Sequence, residues 1–441
     1  MLNLYKTLSS FSRPLLRHWL QTRLGNGKEV EERLDERMGK PGHQRPEGRL
    51  IWLHAASVGE AQSVLILIKT LKERFPEAQF LITTGTVTSA RLMQEKLPPW
   101  TIHQFYPLDH PEWVKAFLDH WHPDLIIWTE SELWPNMLLE IGERHIPVAL
   151  VNARISSESF KKWRIFPLTV KKLLSVFDII LAQTEEDARM IRTLGGRNVI
   201  VTDTLKYCAE PLTLDQNKFA LFSNALANRI GWMFASTHAG EEEIACTIHK
   251  ALKAKYPNLL TIIAPRHPDR REEIKKLFDL RNLSATFLSE KQNPPHDDND
   301  IFVVDTIGNL GLFYKLCGLA CIGRSFSHDG GGGHNPIEAI QMGCVTLHGP
   351  RVHNFMRVYR DMDVEGVSIP CGDEKDLQDN LESLIDAPEK IFALQDAGIA
   401  FLKRKSGIIN LVMNELEPLF IQAGLNCAPA IPRNLGSVAW A

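Results

Sequence analysis

Short apolar runs alternate with longer amphipathic stretches along almost the whole chain. In the first half the apolar runs are Leu50–Ala55, Phe80–Thr84, Ile102–Tyr106, Leu125–Thr129, Val148–Asn152, Ile179–Ala182 and Val199–Thr202. Several are apolar at nearly every position, as expected of parallel strands covered on both faces. Between most of them lie segments with helical spacing, such as Glu60–Arg74 and Glu132–Arg144. Strand and helix alternating in this way predict a doubly wound parallel sheet. The pattern breaks at the polar stretch Leu205–Asn217, which contains Pro211. It restarts with Gly231–Ala235, Leu260–Ala264, Ala285–Leu288, Phe302–Val304, Leu319–Ile322 and Val345–His348. The expected class is α/β, with two Rossmann-like doubly wound domains and a cleft between them. Residues 42–210 form the first domain in this reading and 211–387 the second. Residues 388–421 are expected as a helix packing back on the first domain, and 422–441 as a tail. His296–Asp300 reads as an exposed loop.

The N-terminal segment, 1–41, differs from the rest. Residues 1–28 carry Lys6, Arg13, Arg17, Arg23 and Lys28 with no acidic side chain, while Leu4, Leu8, Phe11, Leu15 and Trp19 recur at helical spacing. Arg13, Pro14, Arg17 and His18 interrupt any apolar run of the ~20 residues a spanning helix needs. An amphipathic basic helix lying on an anionic membrane surface is the expectation. The 441 residues, 44% hydrophobic and 23% charged, suffice for two unstapled cores. A net charge of -3 leaves no cationic excess for nucleic acid, which is not expected as a partner. Seven cysteines without a repeated spacing read as reduced thiols. Cys317 and Cys321 lack the further ligands of a metal site, so no metal is expected.

In open α/β sheets ligands bind beyond the carboxyl ends of the strands, so the chemistry belongs in the loops that leave them. In "HAASVGE", Glu60 opens a helix directly after a strand, where a partly desolvated carboxylate can act as a general base. "WTESELWPN" places Glu130 at a strand end and Glu132 at the entry to the next helix. Lys206 lies at the interdomain joint, and Arg266 and His267 follow a later strand; a guanidinium there can neutralise a phosphate. In "SFSHDGGGGHNPIEAIQMG" four consecutive glycines precede an expected helix starting at Pro336 with Asn335 as its cap. Glycine amides before a helix start can approach an anion, and Glu338 in the first turn can accept from ribose hydroxyls. The spacing matches neither G-x-G-x-x-G nor a Walker motif, which weighs against hydride transfer and nucleotide hydrolysis.

Together, "HAASVGE", "TESELWPN", "LVNARIS", "ASTHAGEEE", "APRHP", "DTIGNLG" and "GGHNPIEA" resemble the bacterial Kdo transferases. These move 3-deoxy-D-manno-octulosonic acid (Kdo) from CMP-Kdo to a lipid A precursor, lipid IVA. The resemblance implies a GT-B inverting glycosyltransferase of lipopolysaccharide biosynthesis, independent of metal and cofactor, on the cytoplasmic side of the inner membrane. It implies that Glu60 is the base and that Glu130 and Lys206 stabilise the transition state. It assigns CMP binding to Arg266, His267, Ile307, Gly308, Asn309, Asn335, Pro336, Ile337 and Glu338. The chain departs from the family pattern at Arg324, with two extra glycines nearby, and at Tyr207-Cys208 after the lysine. Another GT-B nucleotide-sugar enzyme, such as a heptosyltransferase or an epimerase, is the alternative, followed by a non-catalytic nucleotide-sugar binding module at the membrane.

Overall fold

The computed structural model describes residues 2–425 apart from 131, 292 and 297. Two compact units emerge: the chain up to Ala209 together with the residues from Gly407, and Glu210–Ser406. The first is built on β1 (Leu50–Ala55), β2 (Gln79–Thr84), β3 (Thr101–Phe105), β4 (Leu125–Thr129), β5 (Val148–Ala153), β6 (Ile179–Ala182) and β7 (Val199–Val201). They form a sheet in the order β3-β2-β1-β4-β5-β6-β7, parallel throughout. All six residues of β1 are buried, as the unbroken apolar run requires of a strand with helices on both faces. Trp52, Phe117, Trp121 and Trp128 fill the core on one face.

The second unit carries β8 (Ile230–Thr237), β9 (Leu259–Pro265), β10 (Ala285–Phe287), β11 (Ile301–Val303), β12 (Leu319–Ile322), β13 (Val345–His348) and β14 (Ser368–Pro370). Their order is β10-β11-β9-β8-β12-β13-β14, again parallel. The edge strand β14 escaped the sequence reading. It is three residues long and ends in proline, a residue tolerated only at edges and bulges, so it lacks the length and pattern of a strand.

Both sheets reverse direction beside their first strand. The chain moves outward from β1 through β2 to β3, then returns to place β4 on the other side of β1. It does the same around β8, with β9 on one side and β12 on the other. Loops leaving β1 and β4, or β8 and β12, therefore diverge and leave a crevice at the carboxyl ends.

Two expectations about the chain ends are corrected. Residues 1–41 are not a separate appendage: Leu20, Glu29, Glu36 and Arg37 are buried in the first unit. Arg37 pairs with Glu29 at 2.9 Å and donates to the carbonyls of Gly85 and Tyr106, so this buried charge pair is well satisfied. The single basic helix expected there is two, Leu2–Ser10 and Arg13–Gly25. The segment 388–421 likewise holds three helices rather than one. Pro388–Lys405 packs on Ile337–Gln341 within the second unit. Ile408–Glu415 and Glu417–Gln422 belong to the first, where Phe420 meets Phe75 at 4.8 Å between ring centroids. The expected tail lies, from residue 426, outside the described residues.

Candidate active site

In the first unit, β1 ends at Ala55 and the helix Val58–Arg74 begins after Ser57, whose hydroxyl accepts from the Glu60 amide at 3.4 Å. Glu60 reaches back: one carboxylate oxygen accepts from the Ala56 amide at 2.7 Å, the other from the Ser57 hydroxyl at 3.0 Å. This reciprocal cap fixes the carboxylate at the crevice. Glu60 is 7% exposed, and burial, aided by the nearby Glu130 charge, raises its pKa to about 7 despite the Ala56 amide. A carboxylate that titrates near neutrality can accept a proton and release it again.

Glu130 follows β4 on the other side of the crevice. It is buried, with a φ of 61°, in the left-handed region that non-glycine residues rarely occupy. Arg154 pairs with it at 3.0 Å, and the Asn152 amide reaches it at 3.5 Å. Asn152, itself at φ 57°, accepts from the Leu205 amide at 3.2 Å and so anchors the short helical turn Leu205–Cys208 that carries Lys206. The Lys206 ammonium sits beside Gly59, 4.0 Å from where a β-carbon would stand. Burial lowers the Lys206 pKa, while the charges of Glu130 and Glu60 act in the opposite sense. The structure thus gathers Glu60, Glu130 and Lys206 and adds Arg154 and Asn152, which the sequence reading did not single out.

The second unit has a cavity of about 550 Å³ lined by His238, Ala239, Arg266, His267, Arg270, Arg324, Asp329 and His334. His238 leaves β8 and Arg324 leaves β12, at the reversal point of that sheet. His238 Nδ1 lies 2.7 Å from Asp329 Oδ2, and its Nε2 lies 3.0 Å from His334 Nε2. Arg266 and His267 are brought here as expected. Ile307, Gly308, Asn309, Asn335, Pro336, Ile337 and Glu338 are not among the lining residues. Ile307 is 91% exposed, and Asn309 holds its turn through a 2.8 Å bond to Thr306.

The glycine run is explained differently from the sequence expectation. Gly330 to Gly333 have φ between 62° and 123°, which a side chain would strain. Three of their amides are occupied within the protein. Gly331 donates to Asp329, Gly332 to the Arg351 carbonyl and Gly333 to the Arg324 carbonyl, at 3.0–3.1 Å. A β-carbon on Gly331 would stand 2.7 Å from Arg351 Cβ. The glycines let the loop lie against the segment around Arg351 and turn Asp329 toward His238. The following helix, Ile337–Gln341, starts one residue later than expected, with Pro336 at the cap. Asn335 accepts from the Ile337 amide and donates to Glu338, both at 3.1 Å.

Residues 32–209, which include Glu60, Glu130 and Lys206, match the family model for 3-deoxy-D-manno-octulosonic-acid transferase (kdotransferase). The chain is 33% identical over 426 residues to the 3-deoxy-D-manno-octulosonic acid transferase of Rickettsia bellii, covering 95% of this chain and 100% of that one. It belongs to the Kdo transferase family. The enzyme of the same name from Haemophilus influenzae is 29% identical, over 94% of this chain and 97% of its own. Among solved structures, UDP-GlcNAc 2-epimerase from Neisseria meningitidis superposes with a TM-score of 0.54 over 84% of this chain and all of its own, at 14% identity. That likeness gives the fold, GT-B with two doubly wound units. As a Kdo transferase, the chain carries its two polar clusters where each sheet reverses.

The raised Glu60 pKa bears on stability. Between about 4.5 and about 7 the folded chain retains a proton on Glu60 that the unfolded chain has lost. Stability therefore falls as pH rises through that window and levels off above it. Glu60→Gln removes this contribution. The urea midpoint at about pH 8 minus that at about pH 5 should be more positive in Glu60→Gln than in the parent. An unchanged gap would mean that Glu60 titrates normally.

Proposed function

We propose that this Kdo transferase moves Kdo from CMP-Kdo to a lipid A precursor, lipid IVA, with inversion at the anomeric carbon and without a metal. The observation that carries the reading is Glu60, a buried carboxylate whose proton affinity is poised near neutrality beside Glu130 and Lys206. Glu60 takes the proton of an acceptor hydroxyl as its oxygen bonds to the anomeric carbon. The bond from that carbon to the phosphate oxygen breaks on the opposite face, and its electron pair leaves with CMP. Lys206 and Glu130 stabilise the charge that moves through the transition state. Arg266 and His267 hold the CMP phosphate, and Ile307, Gly308, Asn309 and Asn335–Glu338 hold the rest of the nucleotide. Replacing the base typically lowers the rate ~10²–10⁴-fold. Glu60→Gln should lose transfer by that order while still binding CMP, as read by mass spectrometry of products and by calorimetry. Near-parental turnover would remove Glu60 from the role.

The same reading places the protein on the cytoplasmic side of the inner membrane, held peripherally. Among the described residues no helix is long and apolar enough to cross a membrane. Leu4, Leu8 and Leu15 on the two N-terminal helices and Phe11 in the turn between them are each at least 59% exposed, interspersed with Lys6, Arg13 and Arg17. The first helix is fastened to the unit by Tyr5 to Asp109 at 3.0 Å and Asn136 to Ser9 at 3.0 Å. Each basic residue near an anionic surface contributes roughly 1 kcal/mol, screened by salt. Arg23 pairs with buried Glu29, so deleting residues 1–28 would also disturb the fold; substitution is the cleaner test. The parent should sediment with anionic liposomes at low salt and be partly released at high salt. The triple variant Leu8→Ser, Phe11→Ser, Leu15→Ser should remain largely in the supernatant. Equal sedimentation of parent and variant would place the contact elsewhere.

A further inference from the structure

We propose that His238 receives the phosphate of the departing CMP, and that it does so as an imidazolium formed by taking up a proton as that phosphate becomes a monoester. The inference rests on the reading of the second unit as the donor site. Asp329 Oδ2 accepts at 2.7 Å from His238 Nδ1, so that nitrogen carries the hydrogen of the neutral ring. His238 Nε2 is then a lone pair, and His334 Nε2, 3.0 Å away, must donate to it. The two rings share a single proton across that contact. Burial lowers the pKa of both rings, that of His334 to about 3, so both rings are neutral at rest. Carboxylate to imidazole to imidazole is thus a fully specified relay ending in the cavity.

The charges around it are unbalanced in favour of an anion. His238 faces Asp329, His334 and the His267 ring, whose centroid is 5.5 Å away. Arg324 lies 3.6 Å from Asp329, and Glu241 engages the His238 amide from the backbone side. Arg270 is committed to Glu242 at 2.8 Å and Glu273 at 2.9 Å. Among the described residues the Arg266 side chain makes no hydrogen bond or ion pair, leaving its charge uncompensated. The donor's phosphate is a diester with a single negative charge, but the CMP released is a monoester carrying about 1.5–2 near neutrality, more than Arg266 alone offsets. A second cation is supplied if the His334 ring swings aside and His238 Nε2 takes a proton from solvent. The His334 backbone need not move; its carbonyl is held by Tyr359 at 2.7 Å and its amide by Gly323 at 3.2 Å. Asp329 behind the ring then stabilises the imidazolium, whose Nε2–H points into the cavity.

Calorimetric titration of CMP into the full-length protein, in two buffers of different ionisation enthalpy, tests this. The parent should take up about one proton on binding, by the linkage between protonation and ligand. In His238→Gln that uptake should vanish and affinity should fall about tenfold, the worth of one charge-assisted hydrogen bond. Any proton exchanged by CMP itself is common to both proteins. Asp329→Asn is the second arm, because its remaining oxygen can still accept from Ser327 and Gly331 while its amide donates to His238 Nδ1. That reverses the tautomer, places the hydrogen on Nε2 of a neutral ring, and should preserve CMP binding with little uptake. Binding by the parent without uptake, or undiminished uptake in His238→Gln, would overturn the proposal while leaving the donor site in place. A parent that binds no CMP would remove the donor-site reading, and this proposal with it.

Discussion

Both units are organised by a carboxylate at the start of the helix that follows the first strand, where the sheet reverses. Glu60 follows β1 and Glu241 follows β8, at matching places in the two folds. Glu241 is fully buried and accepts backbone N–H bonds from His238, Arg324 and Phe326 at 2.8–2.9 Å. It ties the ends of β8 and β12 together and has few lone pairs left. Glu60 accepts only one backbone amide and one hydroxyl, and its nearest charges include a second carboxylate. The same position is thus a backbone clamp in one unit, and in the other a carboxylate with lone pairs to spare. Burial raises the proton affinity of both, and three backbone amides oppose it at Glu241 where one does at Glu60.

Around these carboxylates the backbone is held in rare conformations. Glu130, Asn152, Ser236 and Arg324 all have φ between 57° and 61°, and all lie at or near carboxyl ends of strands in the two crevices. Each such residue costs on the order of 1–3 kcal/mol and persists only where surrounding bonds over-determine it. Here the bonds are visible. The Glu130 amide donates to Val151 at 3.1 Å, Asn152 caps the Lys206 turn, and Glu241 holds the Arg324 amide. The strain aims Glu130 and Arg324 into positions that a relaxed strand end would not offer.

Much of this was legible in the sequence. Among the described residues thirteen of the fourteen strands stand out as apolar runs, because a strand buried on both faces has no polar alternation to blur it. Glu60, Glu130, Arg266 and His267 were found by asking which polar residues leave a strand. The same question could have found His238, which follows β8 within "ASTHAGEEE", and Arg324, which follows β12. What hid them was strand order: only adjacency of β8 and β12 makes their two loops neighbours, and order is a tertiary property. The glycine run misled for a related reason. Four glycines signal close approach of the backbone, but not whether the neighbour is an anion or another stretch of the same chain. The Arg351 segment is that neighbour.

The claim on which the mechanism depends is that Glu60 works as a base with its pKa raised to about 7 by burial and by Glu130. The pH dependence of the transfer rate at saturating substrates tests it most directly. The rate should rise with pH to a plateau with a midpoint near the Glu60 value, and Glu130→Gln, which removes the neighbouring charge, should shift that midpoint downward. A rate that is level from about pH 5.5 upward, or a midpoint unmoved in Glu130→Gln, would contradict the account.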